Sequence, residues 1–220
     1  LDRLLKDPKF AATTYVVIDF EALTPTGRPP VPIEVAAVAG TFAPDGRWQQ
    51  AWEFQELIRP PDDIPLTPYD SALTGISADM LVGAASADAV MADLDAQLNH
   101  GPYRLVAHSA NTEATLIAGQ RDHCPALAAT PLLCTVKLGR LAVPELASHR
   151  LDALARYLRL AIPIDRHRAM PDVRLTVAVF QKVLAAGAGR WATLLEVERD
   201  GGVYVKQPAG TDDGEQDALF

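Results

Sequence analysis

"VVIDFEAL", residues 16–23, runs an apolar, β-branched stretch into two carboxylates, Asp19 and Glu21, with only Phe20 between them. Tyr15 to Ile18 has the composition of a buried strand. Side chains alternate faces along a strand, so Asp19 and Glu21 point the same way with Cα atoms about 6–7 Å apart, while Phe20 points opposite into apolar packing. Two anions side by side repel unless a positive charge sits between them. One reading is a strand end whose acids simply reach water. The other is a divalent-metal site, which needs further ligands from elsewhere in the chain.

Beyond this strand, "PTGRPP" (25–30) is a turn-rich loop, and "VPIEVAAVAGTF" (31–42) and "RWQQAWEFQELIRP" (47–60) read as two strands joined at "APDG". Together they predict a three-strand antiparallel meander. Pro60, Pro61, Pro65 and Pro68 then make an irregular crossing, followed by short helical pieces around "YDSALTG" and "SADML". Ala87, Val90, Met91, Leu94 and Leu98 share one helical face. "YRLVAH" (103–108) is a short apolar strand followed by a helix over "NTEATLIAGQRDH", and "PLLCTVKLGRL" (131–141) is a strand running into a helix. "SHRLDALARYLRLAI" (148–162) is amphipathic, and "PDVRLTVAVFQKVLAAG" (171–187) is a long helix with Pro171 in its first turn and Gly187 at its end. Strands first, then alternating strand and helix, predict an α/β mixed sheet, with the meander plus parallel strands flanked by helices.

The 220 residues suit one domain, and no apolar run approaches the roughly 20 residues needed to cross a bilayer. "LDRLLKDPKF" is charged throughout and lacks the apolar segment of a signal peptide, so the expected compartment is the cytoplasm. Cys124 and Cys134 are too few for a disulfide framework and lack zinc spacing. The expected organisation is an N-terminal extension (1–12), a domain (13–206) and an acidic tail (207–220) with the charge of a disordered segment. The formal charge of −8 argues against a broad basic face for long nucleic acid, even though the tail carries half of it. Arg28, Arg104, Lys137 and Arg140 are the basic residues placed to ring a site.

Near the C-terminus, "HRAMPDVRLT" holds His167 and Asp172. At about 100° per residue, a five-residue separation puts them well apart around a continuous helix. Pro171 resolves this, because it suits a first helical turn: Asp172 starts the helix while His167 lies in the loop before it.

"DFE" at the end of an apolar strand, "IEVAAV" some 13 residues later and H-x-A-x-x-D-x-x-x-T near the end together resemble the DEDD exonucleases of the histidine subtype, over about residues 13–186. That superfamily includes the proofreading subunit of bacterial replicative polymerase, oligoribonuclease and animal exonucleases that trim RNA ends. "DFEAL", "EFQELIRP" and "LTGIS" look most like the RNA-trimming branch and its bacterial relatives. The resemblance implies a ribonuclease H-like fold. The family's middle motif, A-H-N-A-x-F-D, reads "AHSANTE" here: Ser109 replaces Asn, Thr112 replaces Phe, and Glu113 stands where Asp is usual.

The resemblance implies phosphodiester hydrolysis assisted by two Mg2+ or Mn2+ ions, in a 3′-to-5′ exonuclease acting on single-stranded or short nucleic acid. Asp19, Glu21 and Asp172 would hold one ion; Asp19 would bridge to a second, completed by Glu113. His167 would take the proton from the attacking water. Glu34 is either a plain strand Glu or a support for the site, and His108 is a structural His. Tyr69 and Leu73 lie where relatives line the terminal-nucleotide pocket, although core packing suits their residue types. A phosphodiesterase for small nucleotide conjugates, or a non-catalytic binding module with a vestigial site and a protein or nucleic-acid partner, are the competing readings.

Overall fold

Strand parity decides what each face of the sheet carries. In the computed structural model, which describes residues 1–99, 101–164, 167–187 and 189–205, β1 (Thr14–Leu23) turns Tyr15 and Val17 to one side and Val16, Ile18 and Phe20 to the other. β2 (Val31–Phe42) and β3 (Trp48–Arg59) follow antiparallel, as the meander predicts. The sheet order is β4 (Ala85–Ser86), β3, β2, β1, β5 (Tyr103–Ala107), β6 (Leu132–Cys134), β7 (Gly202–Val203), with β5 and β6 parallel to β1.

Helices cover both faces. In chain order they are α1 (Pro8–Ala12), α2 (Pro68–Thr74), α3 (Ala78–Val82), α4 (Ala87–Asp95), α5 (Asn111–Gly119), α6 (Pro125–Ala129), α7 (Thr135–Ala142), α8 (Leu151–Tyr157), α9 (Ala169–Ala186) and α10 (Leu194–Gly201). The Tyr15/Val17 face packs against α7 to α10 through Leu138, Leu154, Val173, Val179, Phe180 and Val197. Phe10 of α1 is buried in the same cluster. The opposite face, with Ile18, Val35 and Ala37, packs against α4, α5 and α6 through Met91, Leu94, Ile117 and Leu127. A mixed sheet flanked by helices is therefore the fold.

Several details depart from expectation. β1 does not stop at its two acids but continues to Leu23, pairing with β2 across a bulge at Glu21/Ala22. Helices α4, α5 and α8 end earlier than their periodicity suggests; α5 stops at Gly119, a poor helix former. α10 and β7 carry no strong sequence signal yet complete the sheet edge. Tyr69 and Leu73 are 74% and 44% exposed, so core packing is not their role. Cys124 and Cys134 are buried and unbridged. Among the described residues, no helix is long and apolar enough to cross a membrane. The acidic stretch 207–220 lies outside the described residues.

Candidate active site

The pairing of β1 with β5 covers Thr14 to Val17 only, so beyond Val17 the strand is paired on the β2 side alone. Asp19 and Glu21 occupy that stretch. They share parity with Tyr15 and Val17 and therefore face α9. A crevice outside the carboxyl ends of parallel strands is where α/β sheets commonly place ligands.

α9 brings the third acid. It begins at Ala169, two residues before Pro171, and ends against Gly187, close to the expected limits. Its N-terminal turn directs Asp172, only 8% exposed, at the β1 acids. One carboxylate oxygen each from Asp19, Glu21 and Asp172 lies within 4.8 Å of the others. Three oxygens at that spacing can converge on one hard cation, and without a cation they repel.

Glu113 is placed differently. It sits in the first turn of α5, which packs on the opposite face of the sheet, and its carboxylate does not join that cluster. It is 3% exposed and its Oε2 has no hydrogen-bond partner. Burial pushes its pKa up to about 8, so it is a neutral acid at pH 7 in the metal-free chain. Just before α5, Ser109 holds a left-handed backbone at φ 64°. Asn tolerates that conformation better than Ser, which accounts for the residue usual at this place in the family. His108 places Nδ1 2.9 Å from the Thr135 hydroxyl, which donates in turn to the Ala107 carbonyl, so the ring donates through Nδ1 and is a fixed wall of the site.

The strongest electrostatic feature was only half visible in sequence. Glu34 of β2 pairs directly across from Glu21 and faces the same side. It is fully buried. Its oxygens accept from Arg168 Nη2 at 2.8 Å and Nε at 3.0 Å, from the Ala169 backbone N–H at 3.0 Å and from Gln55 Nε2 at 2.8 Å. Burial alone would raise its pKa, but the Arg168, Ala169 and Gln55 hydrogen bonds outweigh it and hold the carboxyl below its ordinary value. Glu34 thus ties down the first turn of α9 and the residue next to His167. His167 itself is exposed, with φ 67°. The available signal was parity: Glu34 has the register of Asp19 and Glu21 inside an otherwise apolar run.

Removing one partner of a buried, hydrogen-bonded charge pair costs about 3–5 kcal/mol. Glu34→Ala is expected to lose about that much, read by urea denaturation. The carboxyl is depressed in the folded state, so its stabilisation is complete above the ordinary value of 4.5 and fades as pH falls through the folded pKa. The wild-type chain should accordingly lose more stability on acidification below that value than Glu34→Ala does.

Asp19, Asp172 and His108 line a cavity of about 560 Å³ whose lining also includes Arg140, His149 and Arg150. Of the basic residues expected to ring the site, only Arg140 does. Arg28 pairs with Asp63 and Arg104 with Glu198, while Lys137 donates to the Gly202 carbonyl.

The family model described as "Exonuclease" (RNase_T) matches residues 16–180. DNA polymerase III PolC-type of Thermotoga petrophila is 30% identical over 175 residues, which are 79% of this chain and 12% of that protein, so the chain spans a small part of the curated relative's length. The crystallographic structure of the nuclease domain of 3′hExo, a DEDDh family member bound to rAMP, shares the fold with a TM-score of 0.67 at 18% identity, over 82% of this chain and 95% of that one. Exonuclease X in complex with 5′ overhanging duplex DNA gives 0.61 at 23% identity, over 85% and 99%. The ribonuclease H-like sheet, the acids at the open end of β1 and a match running from Val16 through the whole site-bearing half of α9 make the chain a member of the exonuclease family.

Proposed function

We propose that the chain is a divalent-metal-dependent nuclease that removes nucleotides from the 3′ end of single-stranded or short nucleic acid. The observation that carries this reading is the convergence of Asp19, Glu21 and Asp172 within 4.8 Å at the mouth of a cavity, with His167 in the loop leading into α9. The donor set is all carboxylate, which suits Mg2+ or Mn2+ rather than a soft metal. The orphaned Oε2 of Glu113 supports the same conclusion, because a buried acid without a partner costs free energy that a cation or its hydration shell recovers. Bound divalent ions supply electrostatic stabilisation of charge developing on the phosphoryl oxygens and make the attacking water more acidic.

The chain's own residues do the rest. Asp19, Glu21 and Asp172 would hold the ions that position the scissile phosphate. His167 accepts the proton of the attacking water as general base. The clamp from Glu34 through Arg168 limits where that loop can sit, leaving the imidazole free to approach from solvent. The retained acid set and His167 favour catalysis over a vestigial binding module. The neighbours' bound rAMP and DNA support a nucleic-acid substrate.

A single-stranded oligonucleotide labelled at its 5′ end, incubated with Mg2+, Mn2+ or chelator, tests this. Progressive shortening of the labelled strand with release of mononucleotides is expected, and no reaction in chelator. Immediate release of labelled mononucleotide would reverse the polarity; metal-independent cleavage would remove the mechanism.

Glu113 makes its own prediction. To face a cation it must give up the proton it carries below about pH 8. Calorimetric titration with Mn2+ at pH 7 in buffers of different ionisation heat should show release of roughly one proton by the wild type and much less by Glu113→Gln. Equal release by both would place Glu113 outside the ion-binding set.

A further inference from the structure

We infer that Arg140 and Arg150 form an anion subsite for the backbone phosphate of the nucleotide preceding the one released. This rests on the nuclease reading above and specifies how its substrate is gripped. The cavity is lined by both signs of charge: the acids Asp19 and Asp172, and the bases Arg140 of α7 and Arg150, which immediately precedes α8. The two arginines are exposed, and among the described residues neither guanidinium has a hydrogen bond or ion-pair partner. Arg28, Arg47, Arg104, Arg168, Arg174 and Arg199 are each paired with a carboxylate.

The loop bearing Arg150 is also held in shape. The imidazole of His149 donates from Nε2 to the Val143 carbonyl at 3.1 Å, and its ring packs close to Gly139, where an added Cβ would lie 3.4 Å from the ring Cδ2. The connection between α7 and α8 is therefore closed on itself, and the two guanidiniums are presented from a fixed segment into the cavity. Arginine's planar fork matches phosphate oxygens and forms charge-assisted hydrogen bonds. The acids Asp19 and Asp172 would hold the cations that take the scissile phosphate, which leaves Arg140 and Arg150 for a second phosphate of the same strand. A volume of about 560 Å³ lies within the usual range of about 300–1,000 Å³ for ligand sites.

A single phosphate held by two arginines also accounts for how so acidic a chain can hold a strand. Each phosphate neutralised on a single strand contributes about −0.7 to the slope of log affinity against log salt, so the one phosphate held by Arg140 and Arg150 gives about −0.7. This is a shallow dependence compared with a protein that tracks a duplex.

The test uses the full chain in the His167→Ala background, which slows cleavage enough for binding to be read before the strand is shortened. Binding of a fluorescein-labelled single-stranded hexanucleotide is measured by anisotropy with Mn2+, for Arg140→Gln, Arg150→Gln and the pair. Each single change should weaken binding about tenfold at low salt, and the pair should reduce the salt slope by about 0.7. A neutral methylphosphonate at the linkage preceding the scissile one should copy that loss in the parent and add little in the double variant. With His167 restored, hydrolysis of the p-nitrophenyl ester of thymidine 5′-phosphate, which carries only one phosphodiester, should be unchanged by either arginine substitution, whereas KM for the hexanucleotide rises.

Unaltered binding or an unaltered salt slope overturns the subsite. So does an equal loss on the nitrophenyl ester, which would place the arginines at the scissile phosphate. Arginine-dependent binding without hydrolysis of either substrate would keep the subsite and remove the nuclease reading. Metal-dependent hydrolysis without arginine dependence would do the reverse.

Discussion

Asp19→Ala and Asp172→Ala should each lower hydrolysis by at least about 10³-fold while leaving the fold intact. Each change removes one of the three acids whose oxygens lie within 4.8 Å, and neither acid belongs to the apolar clusters that hold the sheet to its helices. The expected effect on stability has the opposite sign. Without a cation the three carboxylates repel, so the metal-free variants should melt at or above the wild-type temperature. Adding Mn2+ should raise the melting temperature of the wild type and do so far less for either variant, because only the native state offers the site. Turnover, melting temperature and metal titration belong together in this measurement. An active Asp19→Ala protein would sink the assignment, and a variant that melts much lower would show that Asp19 has a packing role its half-exposed position does not suggest.

Most of the acidic cluster was legible because it depends on two periodicities. Alternation along "VVIDFEAL" put Asp19 and Glu21 on one side of the strand, and Pro171 fixed the start of α9 closely enough to separate His167 from Asp172. Both are local properties. What sequence could not supply was the partnering between distant elements. Glu34 reads as one more strand residue until β2 is paired with β1 and its parity is seen to match Glu21. Arg168 sits in plain view beside His167, yet its bond to a residue 134 positions away is a tertiary fact.

Glu113 shows the same limit from the other side. A motif position implied a ligand, while the carboxyl's burial in the first turn of α5, which keeps it neutral in the metal-free chain, is a tertiary fact. Arg150 was missed because it belongs to an amphipathic stretch whose apolar positions drew the reading toward packing. α10 and β7 went unread because eight and two residues carry too little periodic signal, and their placement is decided by contacts with α7 and β6.

His167→Ala should slow the chemical step by about 10²- to 10⁴-fold, the usual consequence of losing a general base, with metal affinity nearly unchanged. His167 is exposed and is not among the acids that converge, so its removal leaves the cation-binding oxygens where they are. The deficit should narrow as pH rises, since hydroxide increasingly replaces a water that needs help with its proton. A second substitution separates the imidazole from the backbone it sits on. His167 holds φ at 67°, a left-handed conformation that costs a residue with a Cβ roughly 1 kcal/mol and costs glycine almost nothing. His167→Gly should therefore be as inactive as His167→Ala yet slightly more stable than wild type. The Glu34 to Arg168 clamp next door would still hold the first turn of α9, so Asp172 and the metal response of the melting temperature should survive in both variants. Collapse of metal affinity in either variant would make His167 a ligand, and the base would then have to come from another residue of the cavity. If instead both variants kept wild-type turnover at neutral pH, proton transfer would have to proceed without the imidazole, and the loop before α9 would have only a structural role.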